Sequence, residues 1–144
     1  MPTFSESKIK EIAEFLDMGF LCYVHKQTGE IENYPDELKM PYFEEELWED
    51  VKKKIDDDRE NFIEFEGMNS NESFRVMERF VDSLEEGEVK NRLSYALNQS
   101  KPFKNFRYEL DYYDDIKNRW FDFKASETNE WVKDQIDSYN ENTE

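Results

Sequence analysis

Three features of the sequence predict an α+β domain, in which a small antiparallel sheet of about three strands with helices is followed by a helical second half packed on it. Runs rich in aromatic and β-branched residues occupy 20–26, 30–34 and 61–66, all in the first half. Apolar residues recur at helical spacing in several other stretches, and from residue 72 onward that spacing is continuous. Glycine and proline, four of each, fall between these runs rather than inside them.

Taken in order, Thr3 and Ser5 are both available as N-caps, and Glu6 would complete a capping box with Thr3. Ile9, Ile12, Ala13 and Leu16 then form one helical stripe, and Gly19 is placed to end it in a left-handed conformation. Residues 20–26 read as a strand, Gln27-Thr28-Gly29-Glu30 as a turn and 30–34 as the returning strand. Between Pro35 and Pro41 lies a polar connection. Phe43, Leu47, Val51 and Ile55, spaced by fours, predict a helix over 42–56 that Asp56-Asp57-Asp58 ends. Residues 61–66 alternate as a third strand.

Residues 67–71 are a loop, dividing the single domain 1–144 into an α/β half, 1–66, and a helical half, 70–137. In that second half Phe74, Met77, Val81 and Leu84 line one helix, with Phe80 beside them, and Gly87 interrupts the run. Val89, Leu93, Ala96 and Leu97 line the next. Pro102 opens a short helix, where its missing N–H costs nothing, with Phe103, Phe106 and Leu110 facing inward. After a turn at 112–115, Trp120, Phe121, Ala125, Thr128, Val132 and Ile136 stripe a long last helix, Trp131 at its edge. Residues 138–144 are polar and are expected to fray. The rings of Phe74, Phe103, Phe106, Trp120 and Phe121, with Met77, are read as core, each contributing on the order of 2–3 kcal/mol by burial.

Charge and composition narrow the function classes. The formal net charge is −17, 38% of residues are charged and mean hydropathy is −1.03, but 16% are aromatic, enough to build a core. Such a charge disfavours nonspecific binding to nucleic acid or an anionic membrane. Cys22 is alone, so neither an internal disulfide nor a cysteine metal cluster can form. With no apolar signal core and no apolar run near ~18 residues, a cytoplasmic location is expected.

Candidates for chemistry are few. His25 is the single histidine, and on a strand it points to the side opposite Cys22, three residues away, so the two cannot pair as base and nucleophile without a bulge. Asp56-Asp57-Asp58 lacks the spacing, central glycine and final glutamate of a calcium loop. Asp111, Asp114 and Asp115 around a tyrosine pair read as a solvated turn rather than a cation site. No glycine-rich phosphate loop or nucleophile elbow is present. The residues therefore suggest a protein that is not an enzyme, with no catalytic residue, metal or cofactor.

What stands out is residues 89–108, which hold five basic residues, four aromatics and no acid. The plain reading is internal: Arg92, Lys101, Lys104 and Arg107 pair with surrounding acids, joined by Arg79 and Arg119 from adjacent helices. The sharper reading is a contact surface, in which Lys101 and Lys104 flank a helix N-terminus that attracts anions while Arg107, Arg92, Tyr95 and Tyr108 extend it. Phosphate, a nucleic-acid end or an acidic protein segment would fit. The function expected on balance is a noncatalytic binding module of the cytoplasm with another protein as partner. The alternative is a regulatory protein contacting nucleic acid or a phosphorylated ligand through this segment.

Several motifs in fixed order carry a resemblance: Phe74-Arg75-Val76-Met77-Glu78-Arg79-Phe80, Arg92-Leu93 with Leu97, Phe103-Lys104-Asn105-Phe106, Arg119-Trp120-Phe121-Asp122-Phe123 and Trp131-Val132. Over roughly residues 20–136 the chain resembles a bacterial family of uncharacterised proteins, the UPF-0158 group, with Tyr23 and Thr28-Gly29-Glu30 fitting its N-terminal part. The resemblance implies no activity, cofactor or catalytic residue.

Overall fold

In the computed structural model residues 4–40 and 44–143 are described. The order is α1 (Glu6–Asp17), β1 (Phe20–His25), β2 (Ile31–Pro35), α2 (Glu45–Asp57), a 3₁₀ turn (Arg59–Asn61), β3 (Phe62–Phe65), α3 (Ser70–Asp82), α4 (Glu88–Leu97), α5 (Pro102–Leu110) and α6 (Asp114–Thr143). An α+β protein with a three-stranded antiparallel sheet is what the sequence predicts. The contacts gather into two units that do not follow the division of the sequence into halves. One comprises Met1–Gly67 with Thr128–Glu144, the other Met68–Glu127.

In the first unit Ser5 caps α1, its side chain accepting from the Lys8 N–H at 3.1 Å, while Thr3 lies outside the described residues. Ile9, Ile12, Ala13 and Leu16 are buried, and Gly19 follows the helix at φ +88°, the left-handed stop that spares an L side chain strain. The sheet order is β2-β1-β3 with both pairings antiparallel. Gly29 closes the hairpin at φ +75°, its N–H donated to the His25 carbonyl at 2.9 Å.

Alternation along the strands divides the side chains between two faces. Cys22, Val24, Ile63 and Phe65 form one core with the α1 stripe and with Val132 and Ile136 of α6. Tyr23 and Phe62 form the other with Ile55 of α2, flanked by Leu21, Tyr34 and Val51. The unit is thus layered, α1 and the end of α6 on one side of the sheet and α2 on the other. The α2 stripe is shorter than its spacing predicts. Phe43 lies outside the described residues, and Leu47 is exposed, because steps of four rotate about 40° each around a helix of 3.6 residues per turn. Of the described members of the stripe, Val51 and Ile55 turn inward.

The second unit is helical. A reciprocal capping box opens α3, the Asn69 side chain accepting from the Glu72 N–H at 2.9 Å and the Glu72 carboxylate accepting from the Asn69 N–H at 3.2 Å. Val76, Met77, Phe80 and Val81 of α3, with Leu84 just beyond it, meet Leu93, Leu97, Phe106, Leu110 and Trp120 in one core, with Phe74 and Phe103 partly buried against it. Trp120 stands edge-on to Phe80 and Phe106, ring centroids 5.3 and 5.1 Å away.

Two residues read as part of the last helical stripe lie outside it: Phe121 is 53% exposed and Ala125 is exposed as well. The inward face of α6 in this unit runs through Ile116, Trp120 and Phe123, steps of four and three that leave their immediate neighbours off the face. The helix also continues through Thr143, across the stretch expected to fray, and Tyr139 packs against the first unit's core.

Candidate functional site

The basic segment forms the helical hairpin α4–α5. Lys101 sits at the N-cap of α5 with φ 56°, a left-handed conformation rare outside glycine. Pro102 disfavours the right-handed helical region for the residue before it. The Asn105 side chain donates to the Ser100 carbonyl at 2.8 Å and ties down the same turn.

The five bases divide by their surroundings. On α4, Arg92 lies 3.4 Å from Glu88, and Lys90 lies 2.9 Å from Glu86. A hydrogen bond with the Tyr113 hydroxyl, the field of that group, and the charges of Glu88 and Glu109 hold the Arg92 guanidinium above its ordinary range. Arg79 of α3 makes a two-pronged bond to Glu127 at 3.0 and 3.2 Å. Internal pairing therefore accounts for Arg92 and Arg79. It does not extend to Lys101, Lys104, Arg107 or Arg119, all exposed and with no carboxylate at ion-pair distance among the described residues.

Lys101, Lys104 and Arg107 follow one another in steps of three, each step rotating about 60° back around α5. Tyr108, one turn beyond Lys104, is 59% exposed, and its hydroxyl lies 2.7 Å from that of Tyr112, with the rings edge-on. The sequence assigns Tyr112 to the turn after α5 and does not join it to the basic segment. Its phenol is held up by the bond to Tyr108, with Arg92 opposing. Tyr95 is the most exposed ring here, at 70%. The Oε2 atom of Glu109 is buried and has no hydrogen-bond partner among the described residues. Together these residues offer positive charge and aromatic faces but no nucleophile–base pair.

The residues weighed for catalysis have structural positions. Cys22 is fully buried on the α1 side of the sheet, and desolvation, with Glu11 nearby, pushes its thiol up to about 12, leaving no thiolate at neutral pH. His25 lies on the opposite face, edge-on to Phe62. Its Nδ1 accepts from the Gln27 and Thr28 N–H groups, both at 3.2 Å, so the ring proton sits on Nε2 and is donated to Asp58 Oδ2 at 3.2 Å. A hydrogen bond from Asn61 at 2.6 Å, followed by the one from His25, holds the Asp58 carboxyl below its usual range. His25 thereby fastens the hairpin turn to the 3₁₀ turn. Of the other acids considered, Asp56 pairs with Arg59 and Asp111 with Lys117, each at 2.7 Å. No metal-holding group of three His, Cys, Asp or Glu occurs among the described residues.

One polar network escaped the sequence reading. Tyr23 donates its hydroxyl to Glu64 Oε1 at 3.0 Å and accepts from the Tyr34 hydroxyl at 3.0 Å, while the two rings stack. Burial first, then the Tyr34 and Glu64 partners, push the Tyr23 phenol upward. The cross-strand pairs Tyr23↔Glu64 and Leu21↔Tyr34 create it, and register of that kind is not legible locally.

Fold and surface chemistry together define a small α+β protein with a tyrosine-bearing basic helical hairpin on an acidic body. The chain belongs to the Uncharacterised protein family UPF0158, whose model matches residues 3–142. It is similar to the UPF0158 protein PA5073 of Pseudomonas aeruginosa, at 24% identity over 83 residues. That match covers 58% of this chain and 54% of the relative, so it spans about half the relative's length. No solved structure matches the chain.

Proposed function

We propose that this chain is a noncatalytic binding module of the bacterial cytoplasm, and that the outer side of α4 and α5 meets an acidic segment of another protein. The observation that carries this reading is the exposure of Lys101, Lys104 and Arg107 without an acidic partner in a chain of net charge −17. In so acidic a chain, leaving three cations unpaired forgoes relief of self-repulsion. Exposed Tyr95, Tyr108 and Tyr112 supply large contact area at low conformational cost. A buried, unreactive Cys22 suits a reducing compartment, and among the described residues no helix is long and apolar enough to cross a membrane. The test is a pull-down from bacterial lysate with the parent and with Lys101→Gln/Lys104→Gln/Arg107→Gln. One protein retained by the parent and lost by the variant supports the reading; equal retention by both overturns it.

A second reading, regulatory contact with nucleic acid or a phosphorylated ligand, is favoured by the position of Lys101 and Lys104 in the first turn of α5, where free N–H groups and the helix dipole attract anions. Titration with phosphate or an oligonucleotide at two ionic strengths separates it from the first. Saturable binding whose salt dependence flattens in Lys101→Gln/Lys104→Gln supports it, and no saturable binding at low salt removes it.

A further inference from the structure

The outer edge of β3 leaves main-chain groups unmet, and its register shows which ones. The His25 N–H donates to Glu30 on the β2 side at 2.9 Å, and the Lys26 N–H donates to Asn61 on the β3 side at 2.7 Å. Alternation then assigns Cys22, Val24 and Lys26 to the β3 ladder, opposite Phe65, Ile63 and Asn61. The intervening residues Phe62, Glu64 and Glu66 turn their backbone groups outward, away from β1.

Those outward groups are met at both ends and open in the middle. The Phe62 N–H is donated to the Arg59 carbonyl. At Glu66 the α6 side chains act as a neighbouring strand would: Gln135 Oε1 accepts the N–H at 3.1 Å, and Gln135 Nε2 and Trp131 Nε1 donate to the carbonyl at 3.0 and 2.7 Å. The Phe62 carbonyl, the Glu64 N–H and the Glu64 carbonyl have no partner among the described residues. A groove of about 400 Å³ runs along this stretch, walled by Lys26, Glu64, Trp131, Asp134 and Tyr139. The Lys26 ammonium is already engaged, donating to the Glu60 carbonyl at 2.6 Å and lying over the Tyr139 ring. Asp134 is exposed and has no cation at ion-pair distance among the described residues.

We infer that this groove binds an extended basic segment of a partner protein, which adds a fourth strand to the free edge of β3 and sets a lysine or arginine against Asp134 between Trp131 and Tyr139. An acceptor, a donor and an acceptor in succession along a strand edge are matched by another extended main chain, the basis of strand addition. Charge selects the occupant. A second copy of this chain would bring its own Glu64 and a further net charge of −17 to the same edge, whereas a basic segment meets the unpaired Asp134. This site lies in the first unit and stands independently of the α4–α5 reading.

The experiment is selection of short random peptides displayed on phage against the full chain, followed by titration of the selected peptides in solution. Enrichment of extended sequences carrying Lys or Arg is expected. Proline at residue 64 removes one outward N–H, and the carboxylate that Tyr23 meets, while leaving the β1 ladder intact. Glu64→Pro should therefore weaken those peptides by roughly tenfold or more relative to Glu64→Ala, which loses the same carboxylate and keeps the N–H. Asp134→Arg changes an exposed helix residue and is the second reading should Glu64→Pro fail to fold; the basic peptides should be lost there too. Recovery of no peptide, or equal affinity in parent and Asp134→Arg, overturns the proposal. Self-association of the parent in sedimentation that Glu64→Pro abolishes overturns it as well, by assigning the edge to a second copy.

Discussion

Trp120 and Phe121 are adjacent aromatic residues with opposite fates. Trp120 is 7% exposed and wedged between Phe80 and Phe106, whereas Phe121 is 53% exposed. Trp120→Ala is therefore expected to cost about 3–5 kcal/mol and Phe121→Ala no more than about 0.5 kcal/mol, measured as urea midpoints. Equal losses would mean that both rings are core. In the sequence both rings read as core; Trp120 is there and Phe121 is not, because adjacent residues lie about 100° apart on a helix and only one can follow the inward face. Tyr23 gives a pH prediction. Its phenol is raised above the unfolded value near 10, so its contribution to stability is fully present below about pH 10 and is lost as pH rises further. Unfolding free energy should fall above that pH in the parent and fall less steeply in Tyr23→Phe. Parallel curves would remove the network's role. Nothing in residues 20–26 alone reveals this, because both partners arrive by strand register.

Element boundaries were legible where a local rule acts and not where a distant contact does. Ser5, Gly19, Gly29 and Pro102 each do what their type dictates. The signal at Asn69 is equally local, but residues 67–71 read as a loop in the sequence and the pairing of Asn69 with Glu72 goes unseen there. Removing that cap through Asn69→Ala is expected to cost about 1 kcal/mol, seen in the denaturant midpoint, and a loss within error would show that α3 holds through its packing alone. Helix α6 shows the other case. The sequence shows its stripe running through Val132 and Ile136 but not what they meet: Trp131 and Gln135 complete the hydrogen bonding of Glu66, and Val132 and Ile136 fill the core beside Val24 and Phe65. No local pattern announces a partner strand more than sixty residues earlier. The unmet edge of β3 was invisible for the same reason.

At the scale of the whole molecule the α+β class and the acidic character were readable from strand and helix periods and from residue counts. The composition of the two contact units was not. Net charge gives the prediction that belongs here. Most ion pairs, such as Lys54–Glu32 and Arg79–Glu127, involve exposed groups and contribute little, while excess negative charge opposes compaction. Added monovalent salt should therefore raise the melting temperature at neutral pH, as the screening length shrinks to about 8 Å near physiological ionic strength. A fall with salt would show that the surface pairs outweigh the repulsion.

The division of α6 between two units also sets an order of events during synthesis. Residues 68–127 form one unit without interruption, but the sheet's core needs Val132 and Ile136, which are synthesised more than sixty residues after β3. At roughly 5–20 residues per second, the interval between completing β3 and completing its covering helix lasts several seconds. During that interval Val24, Ile63 and Phe65 lack part of their cover, and the whole outer edge of β3 is open at a length any extended chain can match. Repulsion between two such nascent chains is expected to oppose pairing at that edge, since residues 1–66 carry 19 acids against 8 bases.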